Sequence, residues 1–378
     1  MTAPRPGRPA SRPGPSSDGD RRAARQGRGG GEGGDVADRI RELLDAIGAV
    51  ANRDQATDIL STAIQLAREP TDRLDLKITN AALKEMAEAF RVFAPYRDVP
   101  KVTMFGSART LPADPLYGQA RRLATSLARS GWMLVTGAGP GIMAAGLEGA
   151  GRDMAFGINI RLPFEQGVND FIAADPKLVE MKYFFTRKLM LMKESSGYVV
   201  LPGGFGTLDE AFEVLTLLQT GKAEPSPLVL LDVPGGTYWQ GWRRFVDEEV
   251  AARELVSVED DALYRITDDV EEAAAELLGF YRNYHSRRFV GDLLVIRLQA
   301  APTEEELAGL NAEFADLCRQ GDIHPVAALP VERGEGDLLH LPRVALALEH
   351  THQGRLRQLI DALNTLPSAP PPPVVATP

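Results

Sequence analysis

A single cysteine, Cys318, stands in the 378 residues, which rules out a disulfide within the chain and argues against a thiolate zinc site. Its setting, "EFADLCRQG", reads as a helix in which the thiol is one small buried hydrophobe. Histidine is almost as scarce: the five, at 285, 324, 340, 350 and 352, all lie at or beyond residue 285. Chemistry earlier in the chain must therefore rest on carboxylates, Arg, Lys, hydroxyls and backbone dipoles, which disfavours His-centred triads and transition-metal sites. His350 and His352 read as an exposed helix entry, and no metal is expected. No apolar run approaches the ~18 residues of a membrane-spanning helix. No apolar segment follows the N-terminal arginines as a secretory signal would require, so a cytoplasmic protein without a membrane partner is expected. The Walker pattern is missing, which counts against an ordinary ATPase. The formal charge of -10 argues against a general nucleic-acid binder, and no specific nucleic-acid partner is expected.

With 44% apolar and 25% charged residues, the chain is composed to bury a substantial core. Residues 1–34 are almost wholly Pro, Gly, Ser, Ala and Arg; such a segment cannot bury enough surface to offset its ordering entropy and reads as a disordered tail. Residues 367–378, "PSAPPPPVVATP", read as an extended, loose proline-rich terminus. Across 35–97 the apolar spacing is helical, in "VADRIRELLDAI", "ATDILSTAIQLA" and "AALKEMAEAFRVFAPY". From 98 to 284 short β-rich runs ("KVTMFGS", "WMLVTG", "AFGINI", "LVEMKYF", "GYVVLP", "PLVLLD") alternate with amphipathic helical stretches. That alternation predicts an α/β fold, a Rossmann-like doubly wound parallel sheet. Residues 285–366 restart with "RFVGDLLVIRL" and contain enough strand and helix patterning for a small α+β accessory domain.

Two glycine-rich turns follow strands within 98–284. "TGAGPGIM" carries Gly137, Gly139 and Gly141 into a helix start, where free backbone N–H groups face an anion. It fails the dinucleotide fingerprint, because the third glycine comes too early and no acidic residue ends the next strand. "PGGFGT" offers Gly203, Gly204 and Gly206 for close backbone approach and positive φ, with Thr207 as a helix cap and hydroxyl donor. Thr207-x-x-Glu210 also fits a capping box, in which Glu210 would only satisfy the Thr207 amide. On this stretch alone, phosphate cradle and glycine-rich joint are equally good readings. The helix containing Arg187 runs antiparallel to "GYVVLP", so Arg187 and Glu210 can face one crevice at the carboxyl edge of the sheet, where open α/β sheets bind ligands. "FGSART" places Gly106 and Ser107 at the same edge, and Arg109 within reach of a phosphate.

These residues carry a resemblance. "YFFTRKLMLMKESSGYVVLPGGFGTLDE", with "FGSART" and "TGAGPGIMAAG" upstream, resembles the LONELY GUY (LOG) family of nucleoside 5′-monophosphate phosphoribohydrolases, long mislabelled as possible lysine decarboxylases. The similarity covers about 98–284, and "YRNYHSRRFVGDLLVIRL" resembles the downstream extension of longer bacterial members. It implies a Rossmann-like fold, a homodimer or larger homo-oligomer, and hydrolysis of a nucleoside 5′-monophosphate, AMP-like or a cytokinin riboside monophosphate with AMP as the first candidate, to free base and ribose 5-phosphate without a cofactor. It implies Arg187 and Glu210 as catalytic residues and Gly203, Gly204, Gly206 and Thr207 as the phosphate loop. Gly106, Ser107, Gly137, Gly139, Gly141 and Lys188 are implied nucleotide contacts, with Lys188 and Asp209 second choices for catalysis. One departure is Ala144, where relatives often have Glu; Glu148 lies one turn later. The rival reading is a non-catalytic nucleotide or cofactor carrier on the same fold, comparable to molybdenum-cofactor carrier proteins. A lysine decarboxylase ranks below both, because a pyridoxal enzyme needs a Schiff-base Lys in a dedicated site.

Overall fold

The computed structural model describes residues 32–48, 51–161, 169–349 and 352–376. Most of the expected tail (1–31), His350 and the last two residues of the proline-rich terminus lie outside the described residues. The chain divides into two units, 1–80 and 81–378. In the first, helix α1 (Glu32–Ala46) begins inside the stretch expected as tail, and is followed by α2 (Arg53–Arg68) and the opening turns of α3 (Arg73–Phe93). Ile40 and Leu44, one turn apart on α1, are its buried pair.

The second unit holds a seven-stranded parallel sheet formed by β1 (Lys101–Phe105), β2 (Met133–Thr136), β3 (Ala155–Ile160), β4 (Leu178–Met181), β5 (Gly197–Val200), β6 (Leu228–Leu231) and β7 (Arg265–Thr267). Their order is β4-β3-β2-β1-β5-β6-β7. β1, β2, β5 and β6 are buried at every position, which is why they read as unbroken apolar runs. Helices α4 (Pro115–Arg129), α5 (Ile142–Ala150) and α9 (Val270–Gly279) cover one face. The other is covered by α3 together with α6 (Phe184–Lys193), α7 (Phe205–Gln219) and α8 (Tyr238–Phe245). This is the doubly wound α/β architecture expected from the alternation. The chain winds outward from β1 to β4 and then returns to place β5 against the other side of β1. Strand order therefore reverses between β1 and β5, and the crevice beyond their carboxyl ends is the position where such sheets receive ligands.

The same unit carries a four-stranded antiparallel sheet, β10-β11-β9-β8, made of β8 (Tyr284–Val290), β9 (Leu293–Leu298), β10 (Cys318–Pro325) and β11 (Arg343–Leu348). Helices α10 (Glu304–Glu313), α11 (Pro330–Glu335) and α12 (Gln353–Thr365) accompany it. "RFVGDLLVIRL" is a hairpin turned at Gly291, whose φ is 58°. Cys318 opens β10 instead of continuing a helix, because α10 stops at Glu313 and a short 3₁₀ turn intervenes. From β8, Arg287 donates to Gly221 O (3.2 Å) and Ala223 O (2.9 Å), just past the end of α7, and so fixes the small sheet against that helix. The proline-rich terminus, expected to be loose, is anchored as far as it is described. Arg282 donates to Pro370 O, Ser126 Oγ donates to Ala376 O at 2.7 Å, and Ala369 is buried. Among the described residues no helix is long and apolar enough to cross a membrane.

Candidate functional site

Three loops meet at the switch point, and the backbone of Ser107 joins them. Its N–H donates to Pro202 O (3.2 Å) at the head of "PGGFGT", and its carbonyl accepts from Ile142 N (3.0 Å) where "TGAGPGIM" enters α5. Gly141 is glycine for two reasons: its φ is 67°, and a Cβ there would lie 2.2 Å from Ser107 O. Gly106 packs directly against the side chain of Ile142. Asn169, in the loop after β3, braces the same turn through Asn169 N to Ala138 O (3.1 Å) and Asn169 Nδ2 to Gly139 O (3.4 Å). Tyr238 OH donates to Gly203 O at 2.7 Å and steadies the second turn. Neither Asn169 nor Tyr238 belongs to a glycine motif, so only the assembled loops reveal them.

Arg187 sits in the first turn of α6, a helix that turns Thr186, Met190, Leu191 and Met192 inward. Its Nε donates to Ile158 O on β3 (2.9 Å) and its Nη2 to Gly137 O after β2 (3.4 Å). A Cβ on Gly137 would fall 2.0 Å from that Nη2. The bare backbone of Gly137 is thus the surface across which the guanidinium lies.

Glu210 belongs to the buried stripe Thr207, Glu210, Ala211, Val214 and Leu218 of α7. The capping box does not form. α7 begins at Phe205 with Gly204 as its N-cap, so Thr207 is already within the first turn, its Oγ1 tight against Gly203. None of Gly203, Gly204 and Gly206 has the positive φ expected of them. Instead, Gly204 and Gly206 leave open space where a Cβ would stand, beside the N-terminal amides of the helix.

The Glu210 side chain is 9% exposed, and its Oε2 is buried with no hydrogen-bond partner among the described residues. Lys188 stands across from it as an ion-pair partner, with Nζ 3.8 Å away. That ammonium is held by Asp209 Oδ2 and Glu213 Oε2, each at 2.8 Å. Burial opposes charge on Lys188, but these hydrogen bonds prevail and raise its pKa. Burial also pushes the Glu210 carboxyl up to about 7, a shift that the charges of Lys188 and Arg187 partly offset. A carboxylate poised near neutrality with an oxygen that lacks a hydrogen-bond partner can accept a hydrogen bond, shift a proton or face a cation.

The remaining expected residues are spread more widely. Arg109 is exposed and bonds Ser107 Oγ only through its backbone N (3.0 Å). Ala144 is buried. Glu148 accepts from Tyr117 OH (2.9 Å) and Arg121 Nη1 (3.1 Å), so it faces α4 and does not stand in for a carboxylate at the crevice. Among the described residues no three His, Cys, Asp or Glu side chains group as a metal site.

The family model described as "Possible lysine decarboxylase" matches residues 140–277. The "Probable cytokinin riboside 5′-monophosphate phosphoribohydrolase LOGL3" of Oryza sativa subsp. japonica is 32% identical over 108 residues, 27% of this chain and 46% of that protein. The "Cytokinin riboside 5′-monophosphate phosphoribohydrolase LOG3" of Arabidopsis thaliana is 38% identical over 77 residues, 18% of this chain and 34% of that protein. The chain thus spans less than half the length of these relatives. Among solved structures, the molybdenum cofactor carrier protein of Chlamydomonas reinhardtii aligns over 47% of this chain and 94% of its own, at 22% identity and a TM-score of 0.33.

Proposed function

Because the α/β domain belongs to the LONELY GUY family, we propose that it hydrolyses the N-glycosidic bond of a nucleoside 5′-monophosphate, AMP first among candidates, to free base and ribose 5-phosphate. The observation that carries this reading is Glu210: a buried carboxylate whose Oε2 lacks a hydrogen-bond partner, subject to the charges of Lys188 and Arg187 and one helical turn from the open glycines of a helix N-terminus.

In this mechanism the 5′-phosphate binds the amides of Gly203, Gly204, Gly206 and Thr207, where the helix end favours an anion. The C1′–N bond then breaks through an oxocarbenium-like state; the base leaves with the bonding electrons, and water adds its OH at C1′, so that one proton is gained by the base and one is lost by the water. Glu210, ionised, accepts a hydrogen bond from a ribose hydroxyl or the incoming water and stabilises the positive charge on the sugar. Arg187 does not serve as the acid, since a guanidinium keeps its proton up to a pH of about 12. Its role is electrostatic, toward the phosphate or the departing base. Lys188 holds Glu210 toward its ionised form, while Gly106, Ser107, Gly137, Gly139 and Gly141 shape the nucleotide-facing loops. Phe184, Phe185, Leu189, Phe205 and Phe212 leave apolar surface exposed on α6 and α7, which supports self-association as a homodimer or larger assembly.

Incubation with a panel of nucleoside monophosphates, with chromatography of the bases released and an assay of ribose 5-phosphate, tests the proposal. Equimolar base and sugar phosphate from one of them supports it. Tight nucleotide binding without base release would identify a carrier instead.

A further inference from the structure

The helix that presents Arg187 lacks a cap of its own. Tyr183 occupies the N-cap position of α6 and makes no side-chain capping bond. The stretch before it, "VEMKY", offers no Ser, Thr, Asp or Asn for the task. A carboxylate from α3, about a hundred residues earlier, braces the first turn of α6 instead, through the amide of the N-cap residue and a first-turn hydroxyl. Glu85 Oε2 accepts from Thr186 Oγ1 at 2.6 Å and from Tyr183 N at 3.4 Å. Thr186 is fully buried, and its Oγ1 also lies 2.9 Å from Tyr183 O, so the Glu85 carboxylate closes the first turn of α6 from outside. A carboxylate there also meets the positive end of the helix dipole.

The helix that carries Glu85 is packed on the sheet. Along α3, Ala82, Ala89 and Phe93 are buried, and the Phe93 ring stacks on Phe156 of β3 with centroids 4.4 Å apart. The residue after Thr186 is Arg187, whose guanidinium must span from α6 to Ile158 O and Gly137 O. A loosened first turn would therefore be felt at the guanidinium before it was felt in the core.

We infer that Glu85 is a positioning residue for the reaction, acting through Thr186 and the first turn of α6 to hold Arg187 at the crevice. This inference rests on the hydrolase reading above, and it assigns a task in the site to the helix that precedes the sheet.

The test compares Glu85→Ala, Glu85→Gln and Thr186→Val in the full chain by melting temperature, steady-state kinetics on the nucleotide that wild type hydrolyses, and hydrogen exchange of the amides at 184–187. Loss of the charge-assisted Thr186–Glu85 hydrogen bond, common to Glu85→Ala and Thr186→Val, predicts a kcat about 10- to 100-fold lower in both. KM should change less than kcat, because the phosphate loop at the start of α7 is braced by Tyr238 and Ser107 and not by α6. Glu85→Gln, which keeps an acceptor, should recover most of the turnover. Exchange at 184–187 should rise about tenfold or more in the two disrupting variants while the melting curve stays cooperative. Unchanged exchange in Glu85→Ala overturns the inference whether or not wild type turns over any nucleotide. Raised exchange with unchanged kcat overturns it as well, since the cap would then be structural alone. A wild type that hydrolyses no nucleotide, yet shows Glu85-dependent protection at 184–187, would refute the hydrolase reading and leave the bracing of Arg187 standing.

Discussion

Replacing Glu210 with Gln should make the folded protein more stable above neutral pH while removing its proposed activity. Burial lifts the Glu210 carboxyl from 4.5 to about 7 in the folded state. Between those values the native state binds the proton that the unfolded chain has released, so stability falls as pH rises. The stabilising contribution is complete below about pH 4.5 and lost above about pH 7. A displacement of that size corresponds to about 3 kcal/mol. Gln keeps the shape and carries no charge at any pH. The assay is urea denaturation of wild type and Glu210→Gln at intervals from pH 4.5 to 8.5, taking the difference in unfolding free energy at each pH. That difference should grow in favour of Gln by about 3 kcal/mol across the range, with half of the change complete near pH 6. A difference that stays flat, or that favours wild type at high pH, would refute the claim that Glu210 is buried against its own charge. The ionised form is the one proposed to act, so the turnover of wild type should climb with pH through about 7 and then level off.

Other substitutions separate position from packing. Gly137→Ala puts a Cβ 2.0 Å from Arg187 Nη2; displacing the guanidinium should lower kcat by about 100-fold or more, measured on the nucleotide that wild type hydrolyses. Gly204→Ala meets open space, so its melting temperature should match wild type while KM rises about tenfold as the methyl crowds the phosphate position. Lys188→Met removes the cation 3.8 Å from Glu210 Oε2; the rising limb of the pH–rate profile should then move to higher pH, and an unmoved limb would deny Lys188 its electrostatic role.

The central sheet was legible because parallel strands buried on both faces must be apolar throughout, as "WMLV" and "GYVV" are. The charge of Arg187 is felt at Glu210, in keeping with the chain direction that puts both toward one edge of the sheet. What could not be read depended on where an element begins. "TLDE" fits a capping box letter for letter, but Gly204 takes the N-cap and the helix starts three residues earlier, which leaves Glu210 buried with its Oε2 lacking a hydrogen-bond partner. "ADLCR" continues a helical spacing across a 3₁₀ turn that ends it. The carbonyls of the proline-rich terminus are anchored by Arg282 and Ser126, partners that composition does not reveal. Glu85 was invisible for the same reason, since its partners Tyr183 and Thr186 lie about a hundred residues away.

The most direct measurement is base release from a nucleoside monophosphate by wild type and Glu210→Gln assayed side by side, with melting temperatures taken on the same preparations. Wild type should give equimolar base and ribose 5-phosphate, and a Glu210→Gln protein that melts at or above the wild-type temperature should release none above background. A well-folded Glu210→Gln protein that releases base at the wild-type rate would contradict the role proposed for Glu210.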